Sequence, residues 1–164
     1  MPTWLRALGL AAVGGGALRV VDSFTTHSLP AAMLAALYLA TDVLLLLGMA
    51  GIYWSRRATL GIAGVIGAAT FVVGILFVRV SAIGMLGANG YQLAATIALI
   101  GLVILSSETV LRRSGATASA VLWLGAFVLG VIGVFGIATP VMTILAGVAF
   151  GMGFIAAGWR VVAA

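Results

Sequence analysis

The chain has 164 residues, of which 64% are hydrophobic and 7% are charged, whereas about a quarter of the residues of a soluble protein are charged. Its net charge of +5 comes from arginines that flank apolar runs, so they indicate membrane topology rather than nucleic-acid binding. Cysteine and lysine are absent, which excludes disulfides, thiolate metal sites and Schiff-base chemistry. We expect the lipid bilayer as the main partner, with no metal, cofactor or nucleic acid.

Six apolar runs are each about 20 residues long, the length that crosses a hydrocarbon core about 30 Å thick. They cover residues 4–24, 30–54, 58–80, 91–111, 118–136 and 140–159. Pro2, Pro30 and Pro140 stand at the starts of runs, where a missing N–H costs little. The sequence therefore predicts an all-α integral membrane protein, a single domain of six transmembrane helices over residues 1–164 that form a compact bundle.

The first run contains the stretch VGGGALRVVDSF at residues 13–24, where glycines and charged residues interrupt the apolar pattern. Because Arg6 precedes an apolar segment, this run also resembles a secretory signal peptide. No A-x-A-like cleavage site follows it, so we expect a retained helix.

Arginine and tryptophan both mark one side of the predicted bundle. Six arginines lie at helix ends that share a side, namely Arg6, Arg56, Arg57, Arg112, Arg113 and Arg160. The tryptophans cluster near the same side and predict an interfacial belt formed by Trp4, Trp54, Trp123 and Trp159. We expect both termini in the cytoplasm and the chain in a cell inner (cytoplasmic) membrane. Arginine without lysine, with abundant alanine and glycine, is compatible with a bacterial source.

The even-numbered runs resemble one another because each ends in arginine, which predicts three repeated two-helix hairpins in one orientation. The alternative is that any apolar helices flanked by arginine look alike. Glycines recur at helical spacing in three runs, at Gly61/Gly64/Gly67, Gly130/Gly133/Gly136 and Gly147/Gly151. Such faces let helices approach closely, either within this bundle or against a membrane-protein partner or a second copy.

Asp42 is the first candidate for a functional residue, because it lies near the middle of its run, where an unpaired carboxylate is costly. At 1.5 Å per residue it lies about 18 Å from Trp54, and Arg19 lies about 22 Å from Trp4. These similar depths predict an intramembrane ion pair between Arg19 and Asp42.

Three further polar residues surround this predicted pair. Asp22 lies one turn beyond Arg19, while Tyr38 and Thr41 lie on the helix of Asp42. Together they predict a polar pocket that opens towards the outer side and binds or passes a small polar group. The alternative is a satisfied pair that only fixes the helix register.

The remaining polar residues have simpler interpretations. Glu108 precedes Arg112 by four residues, the favourable order for a structural ion pair on one helix. We expect Arg79 to reach the interface at the end of its run. His27, the only histidine, lies in the first outer loop and cannot supply bis-histidine haem ligation alone.

Catalytic motifs are absent from the sequence, which has no HExxH, GxSxG or Walker loop, so an enzyme is not expected. We expect a structural or accessory subunit, or a protein that binds a hydrophobic small molecule or a lipid within its bundle. The alternative is a small-solute or ion transporter or channel component that uses the Arg19–Asp42 site.

Overall fold

A computed structural model of the chain describes residues 1–25, 29–82, 90–112, 117–136 and 138–164. These residues form no strand and fold into six α-helices: α1 Thr3–Thr25, α2 Ala31–Arg56, α3 Ile62–Ala82, α4 Gly90–Leu111, α5 Thr117–Val134 and α6 Thr139–Ala163. Their bounds agree with the predicted runs to within a few residues. The helix α3 begins later than predicted because a turn after α2 occupies residues 57–59. The helix α5 ends earlier than predicted because Gly136 has a φ of 80°, a left-handed conformation that ends helices.

All six helices are long and apolar enough to cross a membrane. Large apolar side chains also cover much of the outside of the bundle, for example Phe24, Leu93 and Val121, each of which is more than half exposed. A water-soluble monomer rarely exposes so much apolar surface. These features are typical of a multi-pass membrane protein.

The helices form a closed ring in chain order, because each packs against its neighbours in sequence and α6 returns to pack against α1. Neighbouring helices that pack closely run antiparallel. We call the end of the bundle where α1 begins and α6 finishes the terminal end, and the opposite end the far end. Of the neighbouring pairs, α2 and α3 make the least contact. The hairpins α1–α2, α3–α4 and α5–α6 are antiparallel pairs, while their origin as repeats stays a prediction.

The triple glycine is part of a continuous α1 and marks the place where α1 contacts two helices at once. Gly15 faces α2, where an added Cβ would lie 2.9 Å from the backbone nitrogen of Leu45. Gly16 faces α6, and an added Cβ on its partner Gly151 would lie 2.5 Å from the carbonyl oxygen of Gly16. Real Cβ atoms do not approach so closely, so only glycine permits this backbone contact.

Glycines also bring α3 and α4 together, as the predicted face of α3 implies. An added Cβ on Gly67 would lie 2.7 Å from the Gly101 carbonyl oxygen, and one on Gly74 would lie 2.6 Å from the Cα of Ala98. The predicted face of α5 behaves differently. Gly130 has only an ordinary contact, 3.7 Å from the side chain of Leu99, so it does not bring two backbones together.

Aromatic side chains fill the centre of the ring. Phe71 of α3 packs against Phe150 and Phe154 of α6, with ring centroids 6.2 Å and 5.3 Å away. Trp123 lies edge-on to Phe154 and is 1% exposed. The prediction that Trp123 belongs to an interfacial belt is therefore wrong, because its ring fills the space left by Gly153 on α6.

The triple glycine supports a graded prediction for single alanine substitutions. Gly16→Ala should destabilise the bundle most, by about 1–3 kcal/mol, because the new methyl group would overlap the α6 backbone. Gly15→Ala should cost less, and Gly14→Ala is the matched control, since its Cβ would lie 3.6 Å from the nearest atom. Unfolding in detergent measures the order, and equal stability of all three variants would contradict the proposed contact.

Candidate functional site

A polar pocket lies at the far end of the bundle, between α1, α2, α3 and α4. Its volume is about 130 Å³, enough for a few water molecules or a small ligand. It is lined by Arg19, Asp22, Tyr38, Thr41, Asp42, Val78, Arg79 and Tyr91. All five residues that the sequence analysis selected as ligand or ion site candidates therefore line one cavity.

Asp42 and Arg79 form an ion pair that joins α2 to α3. The Arg79 Nε donates a hydrogen bond to the Asp42 carboxylate. The Asp42 side chain is 13% exposed and that of Arg79 is 28% exposed, so the carboxylate is the more deeply buried partner. This pair links the two neighbouring helices that otherwise have the least contact.

Arg19 and Asp22 form a second ion pair, within α1. The two side chains lie one helical turn apart, and the Arg19 Nη1 donates to Asp22 Oδ2 at 2.5 Å. The Arg19 guanidinium also lies 6.0 Å from the centre of the Phe150 ring and next to Tyr91. The carboxylate of Asp22 is again the buried member, since this residue is 2% exposed.

The direct pair between Arg19 and Asp42 that the sequence predicts is replaced by these two pairs. Arg19 finds Asp22 on its own helix, where a spacing of three residues already brings the side chains together. Asp42 takes Arg79, which does not extend away from the bundle as expected. Arg19 still lies close enough for its charge to act on Asp42. The four charged side chains thus share one pocket, with partners different from those predicted.

Sequence reasoning did not select three residues of the pocket lining, namely Val78, Arg79 and Tyr91, and of these Arg79 is the charged one. It stands three residues before the end of α3, a position typical of arginines that reach the interface. Counting from the far end could have found it, because the long arginine side chain can reach back along α3 to the depth of Asp42.

Thr41 adds an unsatisfied polar group to the pocket wall. This residue is 2% exposed, and within the described part of the chain its hydroxyl has no hydrogen-bond partner. A buried hydroxyl without a partner is costly, so a ligand or a water molecule in the pocket would satisfy it. Tyr38 lies one turn away on the same helix and lines the same cavity.

Glu108 and Arg112 lie at the terminal end, far from the pocket. Arg112 Nε donates to the Glu108 carboxylate, whose Oε1 also accepts a hydrogen bond of 2.9 Å from the backbone N–H of Gly61. Glu108 therefore holds the start of α3 against α4, a role that the four-residue spacing alone did not predict. Acidic groups are favourable at a helix start.

Some predicted features lie outside what the structure describes. His27 and Arg113 are not among the described residues. In the ranges that are described, no group of three or more histidine, cysteine, aspartate or glutamate side chains could hold a metal ion.

No family model matches the chain, and neither the curated proteins nor the solved structures include a match. The site is therefore interpreted from its own geometry.

The observed ion pairs predict that Asp42 is energetically coupled more strongly to Arg79 than to Arg19. Arg79→Gln should destabilise the protein by about 1–3 kcal/mol, because it leaves the mostly buried Asp42 carboxylate without its donor. Asp42→Asn in the same chain should recover part of that loss, and a double-mutant cycle measures the coupling. Arg19→Gln with Asp42→Asn is the matched control and should show weaker coupling. Stronger coupling of Asp42 to Arg19 than to Arg79 would contradict the observed pairs.

Proposed function

We propose that the chain is a non-enzymatic, multi-pass membrane protein that binds a small zwitterion, either a free solute or a lipid headgroup, in its far-end pocket. The observation that carries the proposal is a charged pocket in an otherwise apolar bundle, closed towards the terminal end by packed side chains. Helix register alone would not require a cavity beside the ion pairs.

Charge balance favours a ligand without net charge. The described lining carries two arginines and two aspartates, so its formal charges cancel. A ligand with a net charge would bring an unbalanced charge into an environment of low dielectric constant, which is costly. A zwitterion can instead share its anionic group with Arg19 and Arg79 and its cationic group with the two carboxylates.

The depth of the charged groups favours one orientation of this ligand. The side chains of Arg19 and Arg79 are 31% and 28% exposed, while those of Asp22 and Asp42 are 2% and 13% exposed. The carboxylates are therefore the more deeply buried members of the two ion pairs. We expect the ligand's carboxylate or phosphodiester beside the two arginines and its ammonium group beside the more buried carboxylates.

The alternative function, a transporter or channel component, would need a route through the bundle. Beneath the pocket, towards the terminal end, the core residues Leu45, Phe71 and Leu102 are fully buried and pack together. A solute would have to separate these side chains to pass. Binding from one end is the function that this packing favours, and an accessory role in a larger complex is compatible with it.

Three headgroup fragments test the proposed ligand class on the purified protein in detergent. Glycerophosphoethanolamine is zwitterionic, glycerophosphoglycerol carries the anionic group alone, and ethanolamine carries the cationic group alone. We expect saturable binding of the zwitterion by calorimetry and stabilisation by about 2.7 kcal/mol at a hundred times its Kd. Glycine is added in a separate experiment, because it is a zwitterion whose anionic group is a carboxylate. Tighter binding of glycine than of glycerophosphoethanolamine would identify a carboxylate rather than a phosphodiester as the preferred anionic group.

Two matched double variants locate the binding. Asp42→Asn with Arg79→Gln should abolish it, because the variant removes one charge of each sign from the pocket. Glu108→Gln with Arg112→Gln removes a similar ion pair at the terminal end and should leave binding unchanged. Equal binding of all three fragments, or full binding by the pocket variant, would contradict the proposal.

A further inference from the structure

The terminal end of the bundle carries positive charge that its acidic residues do not balance. The described arginines at this end are Arg6, Arg56, Arg57, Arg112 and Arg160. Of the three acidic residues in the sequence, Asp22 and Asp42 lie in the far-end pocket. Glu108 lies near the terminal end but already accepts from Arg112 and Gly61. The remaining arginines need counter-ions from outside this acidic set.

Arg56 differs from the other described arginines at this end because it is partly buried. It is the last residue of α2, and within the described chain its buried Nη1 has no hydrogen-bond partner. Arg160 lies in the last turn of α6, a helix that also contacts α2, and it is close enough for its positive charge to act on Arg56. Two neighbouring cations and a buried N–H without an acceptor are both unfavourable. An anion between α2 and α6 would relieve both.

Tryptophans indicate which anion is available at this depth. Trp54 stands two residues before Arg56, and Trp159 stands immediately before Arg160; they are 46% and 62% exposed. Exposed tryptophans on apolar helices are typical of the membrane interface, the level of lipid phosphates. Arg57 is already engaged, since its guanidinium lies 4.9 Å from the centre of the Trp54 ring.

We propose that Arg56 and Arg160 form a site for the phosphate of an anionic phospholipid at the terminal end, between α2 and α6. The phosphate oxygens accept from the guanidinium groups of both residues, and the exposed tryptophan rings lie beside the lipid's glycerol region. This site rests on the proposed membrane insertion and is independent of the far-end pocket. Its selectivity for anionic over zwitterionic lipids follows from the two adjacent positive charges.

Lipid retention in nanodiscs tests the proposal. Wild-type protein is reconstituted in equal amounts of phosphatidylglycerol and phosphatidylcholine, extracted gently, and analysed by native mass spectrometry for bound lipid. We expect phosphatidylglycerol to be enriched on the wild type, and Arg56→Gln to lower that enrichment about fivefold. Arg160→Gln, at an exposed residue whose loss should not affect folding, should do the same. Arg6→Gln is the matched control, since it removes an exposed arginine from the same end.

The possible outcomes test the lipid site separately from membrane insertion and from the far-end pocket. Equal retention of the two lipids by the wild type, or unchanged enrichment in both Arg56→Gln and Arg160→Gln, would overturn the proposal. Stabilisation by inorganic phosphate as large as that by phosphatidylglycerol would overturn the lipid as the source of the phosphate. Failure of the wild type to enter nanodiscs would overturn membrane insertion as well. Arg56→Gln should still bind glycerophosphoethanolamine, so a failure here leaves the far-end pocket untouched.

Discussion

The backbone contact between Gly16 of α1 and Gly151 of α6 is the constraint on which the rest of the bundle depends. In lipid, no hydrophobic force brings helices together, so close packing must supply the attraction. This contact closes the ring of six helices, while Gly15, one residue earlier, holds α1 against α2. The next turn of α1 then carries Arg19 and Asp22 to the far end. The glycines thus fix where the charged residues of α1 lie.

The far-end pocket lies where the packing is weakest, beside the contact between α2 and α3. Glycines bring α1 against α2 and α6, and α3 against α4, whereas α2 and α3 are joined by the Asp42–Arg79 ion pair. An ion pair can exchange its partners for ligand groups of the same charge, which tightly packed glycine faces cannot do. The helix pairs that pack closely through glycines therefore form the frame of the bundle, and the loosely packed α2–α3 pair leaves space for the pocket. We propose binding at the far end and lipid contact at the terminal end as two separate roles.

The sequence predicts the helices well because each apolar run is long and is bounded by prolines or arginines. It also selects five of the eight residues that line the pocket, since Asp42 lies too deep in its helix to be left without a partner. It assigns the wrong partner because depth alone does not tell which neighbouring helix faces a side chain. Arg79 and Trp123 show the same limit. Their positions towards helix ends predict side chains at the membrane interface, but in the folded bundle Arg79 lines the pocket and Trp123 is buried in the core.

Accessibility of single cysteines tests the central claim, a water-filled pocket open at one end in a membrane-embedded bundle. The native chain has no cysteine, so each introduced thiol reports alone. Val78→Cys lines the pocket, Ile75→Cys lies one turn deeper in the core, and Leu76→Cys lies on the exposed apolar surface. In reconstituted vesicles, a small charged methanethiosulfonate reagent should modify Val78→Cys alone. Modification of Ile75→Cys would contradict the closed core, modification of Leu76→Cys would contradict membrane insertion, and an unreactive Val78→Cys would contradict the pocket itself.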